Sequence, residues 1–182
     1  MNEKQEKRVP GWTLAFVKIG NAVEKCLYAL GGTAVTVFLG AVFLDVFARE
    51  ITKPIVWMQE IALLGYVWAI FLGAAIGIRR GTHFTIDILI AGFKGVARKV
   101  IELFDEVVTT GFIIAFAYYS AKYLSLSVHR MSQPSGICLG FFTASMTVGS
   151  LCMLLFCIER FILFFLGTDL NSVQNSLKEG RP

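Results

Sequence analysis

The sequence predicts an all-α membrane protein, with four transmembrane helices plus an interfacial amphipathic helix between helices two and three. Three observations carry this. Of 182 residues, 55% are hydrophobic and 16% charged, where a soluble domain carries about a quarter charged residues. Mean hydropathy is +0.66. Four charge-free runs extend over 15 to 28 residues, and a helix needs about 20 apolar residues to cross a hydrocarbon core of about 30 Å. The same composition excludes an ordinary soluble enzyme, and 16 Phe among long apolar runs exclude disorder. The net charge of +4 is not gathered into any strongly basic stretch, so nucleic acid is not an expected partner.

The first run, Cys26 to Leu44, is closed by Arg49 and Glu50. Residues 1–25 before it form an N-terminal segment of mixed charge, weakly amphipathic through Leu14, Val17, Ala22 and Leu27. It lacks a small-residue cleavage site and is read as retained rather than as a signal peptide. The second run, Ile61 to Ile78, is opened by Thr52-Lys53-Pro54 and closed by Arg79-Arg80-Gly81; proline suits a first helical turn, where its missing N–H is not needed. The third, Val107 to Ala121, is short. It reaches spanning length if it runs from Phe104 to Leu126 with Glu106 and Lys122 snorkelling to the headgroups; a re-entrant helix is the alternative. The fourth lies within Met131 to Ile158, strongly apolar from Ile137, after the polar turn His129 to Gly136. Trp12 and Trp57 fall near interfaces, as amphipathic rings prefer.

Between the second and third runs, Ile86, Leu89, Ile90, Phe93, Ala97, Val100, Ile101 and Phe104 recur at helical spacing, with Lys94, Arg98 and Lys99 off the stripe. This reads as a helix lying in the interface; an extension of helix three is the alternative. The domain plan is therefore 1–25, a membrane domain over 26–168, and a polar tail over 169–182. Lys and Arg number 13 on the side of the termini and the 79–99 loop, against 4 (Arg49, Lys53, Lys122, Arg130) on the other. The bias puts both termini in the cytoplasm.

Sites of chemistry are sparse. His83 and His129 fall on opposite sides of the membrane and cannot share a metal or cofactor. Cys26, Cys138, Cys152 and Cys157 form no Cys-x-x-Cys pair, and free Cys in apolar helices acts as a small hydrophobe. Charges cluster at helix ends rather than mid-depth, where a transport path would need them. Asp45 and Glu60 lie outside, Glu159 and Arg160 inside; Glu102, Asp105 and Glu106 are expected to pair with Arg98 and Lys99. Gly65, Ala69, Gly73 and Gly77 recur every four residues on helix two, and Gly32, Thr36 and Gly40 on helix one. Such strips let another helix backbone approach closely in lipid, either within the four-helix unit or from a partner.

Arg49, Trp57-Met-Gln-Glu60, Trp68-Ala-Ile-Phe-Leu-Gly-Ala-Ala75, Arg79-Arg-Gly-Thr-His83 and Asp87 stand in an order and spacing that resembles the small membrane subunit of tripartite ATP-independent periplasmic (TRAP) transporters. The match covers about a quarter of the chain, with Gln59 where the family often has a second acid and Glu50 where it often has an aromatic. The resemblance implies a multi-pass inner-membrane subunit without enzyme activity or cofactor. It implies two protein partners: a large membrane transport subunit that carries organic acid and sodium, and a periplasmic solute-binding protein. On that basis Glu50, Lys53, Gln59, Glu60, His129 and Arg130 form a candidate docking rim, with ordinary headgroup contacts as the simpler role. A small four-helix membrane enzyme and a self-contained homo-oligomeric carrier are the competing classes.

The charge bias makes a direct prediction. In a variant without native cysteines, single cysteines at Lys53 and Ser132 are expected to react with an impermeant thiol reagent on intact cells, and one at Ser176 is not. Labelling at Ser176 alone would reverse the topology.

Overall fold

The computed structural model describes residues 11–51, 55–80, 96–133, 135–166 and 173. Among these residues there are four helices: α1 (Gly11–Glu50), α2 (Val56–Arg80), α3 (Val96–Ser127) and α4 (Gly140–Leu166). All four contain a stretch long and apolar enough to cross a membrane. None of the four helices contains a proline, whose ring would remove a helical hydrogen bond. The third span runs unbroken through both Phe104 and Leu126. Val96 to Phe104 begin α3, and the rest of the amphipathic stretch, Ile86 to Gly95, lies outside the described residues.

The principal packing runs α1 on α2, α2 on α4, and α4 on α3. The helices thus form a row, with α2 and α4 central and α1 and α3 at the edges. Burial follows the order: 11% of the spanning window in each edge helix is buried, against 28% in α2 and 39% in α4. The exposed side chains of the edges are apolar, such as Leu39, Phe43, Phe112 and Tyr119, which suits contact with lipid.

One pattern explains how α1 holds its neighbours. Thr13, Val17, Gly20, Glu24, Leu27, Gly31, Ala34, Phe38, Ala41 and Asp45 alternate steps of four and three, and none is exposed. A 3.5-residue repeat keeps one face turned toward a partner along a shallow, left-handed crossing. The matching positions on α2 are seven apart. A Cβ on Gly65 would lie 2.9 Å from the Ala34 carbonyl oxygen, one on Gly31 lies 3.8 Å from the Leu72 Cβ, and Arg79 fills the space over Gly20. On the other side of α2, a Cβ on Gly149 of α4 would meet the Phe71 Cβ at 2.7 Å. Lipid gives helices no solvophobic reason to associate, so such backbone-to-backbone fits, with the dispersion contacts they allow, hold the row together. Thr33 and Thr36 are exposed on α1, but each donates its hydroxyl to the carbonyl four residues back, at 2.8 and 2.9 Å, so neither leaves a bare polar group in lipid.

At the end of the row away from the termini, residues 130–133 and 135–139 belong to a short hairpin. Leu139 N–H donates to the Arg130 carbonyl (2.9 Å), Ser132 N–H to Ile137 (2.8 Å) and Gly136 N–H to Ser132 (2.9 Å). Gly136 has φ +73°, a backbone region that side chains other than glycine's rarely enter.

Two glycines of the same helix should respond oppositely to a methyl group. Gly65→Ala is expected to cost about 1–3 kcal/mol through overpacking against α1, whereas Gly73→Ala meets nothing within 4 Å and is expected to be neutral or better. Thermal unfolding of the purified chain in detergent checks the pair; equal midpoints would refute the close α1–α2 approach.

Candidate functional site

The densest chemistry lies at the end of the row that carries the termini. The α1 seam brings Val17, Gly20, Asn21 and Glu24 opposite the last turn of α2, while α4 contributes Glu159 one turn past Phe156. Arg79 sits where the three meet, its side chain fully buried and the Glu159 side chain 1% exposed. Arg79 Nε donates to Glu159 Oε2 at 2.9 Å and Nη2 to Oε1 at 2.8 Å, a two-pronged pair of the kind guanidinium geometry favours. Nη1 donates to Glu24 Oε2, and Nη2 also to Asn21 Oδ1 at 2.9 Å. The Arg79 guanidinium carbon stands 5.2 Å from the Phe156 ring centroid. Arg80 joins from the outside, with Nε donating to Glu24 Oε1 at 3.1 Å.

This cluster is sealed along both directions of the helix axes. Toward mid-membrane lie Leu27, Leu72, Phe156 and Cys157. Toward the termini lie Val17, Leu163 and Val173, so the polar tail region docks at least one side chain, Val173, which is fully buried. Gly20 is required for the fit, because a Cβ there would stand 2.7 Å from both Arg79 Nη2 and Glu159 Oε2. Two guanidinium cations face two carboxylates, so the cluster is balanced without any outside ion.

Arg160 extends the tie to α3. Its Nη1 donates to the Ile78 carbonyl at 2.9 Å, one of the carbonyls that the end of α2 leaves without a helical partner, and Nη2 meets Glu106 Oε2 at 2.9 Å. Glu106 is only 7% exposed. The expectation that it would snorkel is corrected: the α3–α4 packing presents it to Arg160 before it could reach the headgroups. The side chains of Arg98 and Lys99 lie outside those described.

At the hairpin end, Glu60 accepts hydrogen bonds from Ser132 Oγ at 2.7 Å and from Ser135 Oγ. Trp68 Nε1 donates to the Phe141 carbonyl at 3.2 Å. The Glu60 bonds fasten the hairpin to the start of α2, and the Trp68 bond ties the middle of α2 to the first turn of α4.

The residues singled out from sequence separate as follows. Gly65 lies against the α1 backbone, Ala69 and Gly77 are half-buried, and Gly73 is exposed. A step of four advances about 40° per residue pair on a 3.6-residue helix, so the strip winds off the α1 seam within three steps. Of the rim, Glu50, Gln59, His129 and Arg130 are exposed and Glu60 is half-buried. The hairpin brings His129 and Arg130 to the end where Glu60 lies. Lys53 is outside the described residues. Gly32 and Gly40 face open space.

Residues 38–167 match the family described as the DctQ component of tripartite ATP-independent periplasmic transporters. The chain belongs to that family. It is accordingly a transporter component, not an enzyme, and with its four spans a multi-pass inner-membrane protein. It is similar to a sialic acid TRAP transporter permease protein of Haemophilus influenzae, 26% identical over 51% of this chain and 15% of the relative. It is also similar to a putative TRAP transporter small permease protein of the same species, 24% identical over 69% of this chain and 77% of the relative. The chain thus spans only a small fraction of the first relative.

For this family member, the sequence marks Arg79-Arg80 as a stop signal, a loop charge and part of the family pattern, without assigning either a partner, and does not single out Glu24 at all. The signal that would have found the cluster is the four-three alternation of α1, which puts Glu24 on the same face as Leu27 and Gly31, an inward position that only a partnered acid tolerates.

Removing one member of a buried pair leaves the other unmatched, at about 3–5 kcal/mol. Arg79→Ala and Glu159→Ala are each expected to lower the unfolding midpoint far more than Arg80→Ala, whose side chain is 58% exposed. The double variant Arg79→Met with Glu159→Leu is expected to recover much of the loss. If all the single variants melt alike, the cluster does not stabilise the fold.

Proposed function

We propose that this chain is the small, scaffold-like subunit of a sodium-coupled, binding-protein-dependent secondary transporter that imports organic acids of the sialic acid or C4-dicarboxylate class. It packs on and stabilises a large membrane transport subunit, with both of its own termini cytoplasmic. The observation that carries this reading is the pairing of a sealed, self-balanced charge cluster with open apolar faces. Arg79, Glu24 and Glu159 already satisfy one another, so they offer a solute or coupling ion no vacancy, while the row leaves its helices free to meet another protein. Similarity to a sialic acid permease of the same transporter class supports the solute class.

Gly73 is exposed and open, which suits close approach of a partner helix beside Ala69 and Gly77; Gly65 is already committed to α1. At the hairpin end, Glu50, Lys53, Gln59, His129 and Arg130 would receive the solute-binding protein. Glu60 serves that rim indirectly, by holding the hairpin that carries His129 and Arg130. Docking of this kind is transient, so these charges act on encounter rate and are screened by salt.

Reconstitution tests the assignment. The chain alone in liposomes is expected to move no organic acid, and to be required for uptake once the large subunit and the binding protein are added. Gly73→Leu is expected to abolish co-purification with the large subunit while leaving the chain's own melting unchanged. Arg130→Glu is expected to raise the binding-protein concentration needed for half-maximal uptake without altering the maximal rate. Uptake by the chain alone would overturn the scaffold reading and favour the homo-oligomeric carrier.

A further inference from the structure

Where the sealed cluster meets the outside of the row, α1 and α2 present an unmatched basic patch. Lys25 and Tyr28 are three residues apart on α1, hence neighbours on its surface. The Arg80 guanidinium carbon stands 5.1 Å from the Tyr28 ring centroid. Arg80 is 58% exposed and tied to Glu24 through Nε. Lys18 lies two turns before Lys25 on the same side of α1, and both lysines are exposed. Among the described residues neither has an ion-pair partner. Glu24, the acid nearest this patch, is already shared between Arg79 and Arg80, so the surface retains a positive excess.

The same face of α1 continues from Lys25 toward mid-membrane as Gly32, Thr36 and Gly40. All three are exposed, and nothing lies within 4 Å of a Cβ built on either glycine. With so little side chain, this stretch is a shallow trough, bordered by Leu39, which is 58% exposed. Eight residues from Gly32 to Gly40 rise about 12 Å, close to the depth of one leaflet of a hydrocarbon core about 30 Å thick.

We infer that this face binds an anionic glycerophospholipid of the surrounding leaflet, its phosphate held by Lys25 and Arg80 beside Tyr28, with Lys18 adding to the attraction and one acyl chain lying along Gly32–Gly40. Two features select a lipid over other occupants. The cations adjoin an apolar surface of leaflet depth, which a free anion would not use. The aromatic stands at the boundary between them, the level at which tyrosine rings settle in bilayers.

The test uses the purified full-length chain in a neutral detergent, with thermal unfolding followed during titration by phosphatidylglycerol, phosphatidylcholine or inorganic phosphate. Phosphatidylglycerol is expected to raise the midpoint, and the other two are not. A basic residue near an anionic surface contributes about a fivefold gain in affinity. The double variant Lys18→Gln/Lys25→Gln is therefore expected to need at least about tenfold more phosphatidylglycerol, while Lys122→Gln at the opposite end changes nothing. Gly32→Leu, which fills the trough, is expected to weaken the lipid response as well. Equal stabilisation by phosphatidylcholine would overturn the proposal, as would a double variant that responds like the parent. Full stabilisation by inorganic phosphate would make this a simple anion site. Loss of the lipid response on assembly with a partner chain would make it a protein contact.

Discussion

The buried pair between Arg79 and Glu159 is the constraint on which the rest of this structure depends. A guanidinium removed from water is costly unless every donor finds a partner, so its position dictates what must surround it. Glu159 has to come from α4 and Glu24 from α1, both at one depth. Gly20 has to lack a side chain. Apolar residues have to close both sides, or water would screen the interaction. These requirements fix the axial register of three helices together. A slide of α4 by one turn would carry Glu159 about 5.4 Å away and leave two charges unmatched in an apolar setting. Dispersion contacts between smooth helices tolerate such slides far better, so the ion pair supplies the register while the glycine contacts supply the closeness.

Against this, Glu60 does a similar task at the opposite end with milder chemistry. Its two hydroxyl partners belong to a loop, and the loop is itself shaped by Gly136. α2 and α4 are thus pinned at both ends: by ion pairs at one, and by hydroxyl and indole hydrogen bonds at the other. Between the ends, Ser120 and Ser150 meet across α3 and α4 at 3.3 Å, a modest polar contact in an otherwise apolar interface.

The four spans were legible in the sequence because lipid imposes a long, uninterrupted apolar requirement that little else produces. Even the short third run was recoverable, since Phe104 and Leu126 extend it to full length. The arrangement of the spans was less legible. Gly65 and Gly73 look equivalent in a list of small residues four apart, yet one touches the α1 backbone and the other faces outward, because a four-residue step drifts around the helix. The seven-residue series Gly65, Leu72, Arg79 carries the true contact line, and it is chemically so mixed that hydropathy does not reveal it. Glu106 and Glu159 were visible as charges near an interface, but their partners could not be found from local spacing, since Arg160 and Arg79 reach them across helices far apart in the chain.

The row arrangement has a mechanical consequence. With neighbouring axes about 8–10 Å apart, four helices side by side make a plank about 24–30 Å across between its edge axes, one helix thick except where α1 also meets α4 at the Arg79 cluster. Bending stiffness rises steeply with thickness in the direction of bending. Such a plank yields readily when pushed on its broad face and resists strongly when loaded edge-on or sheared along the helix axes, more so because its central helices are keyed at both ends. It can therefore curve to follow a neighbouring surface or a change in bilayer shape without losing its internal alignment.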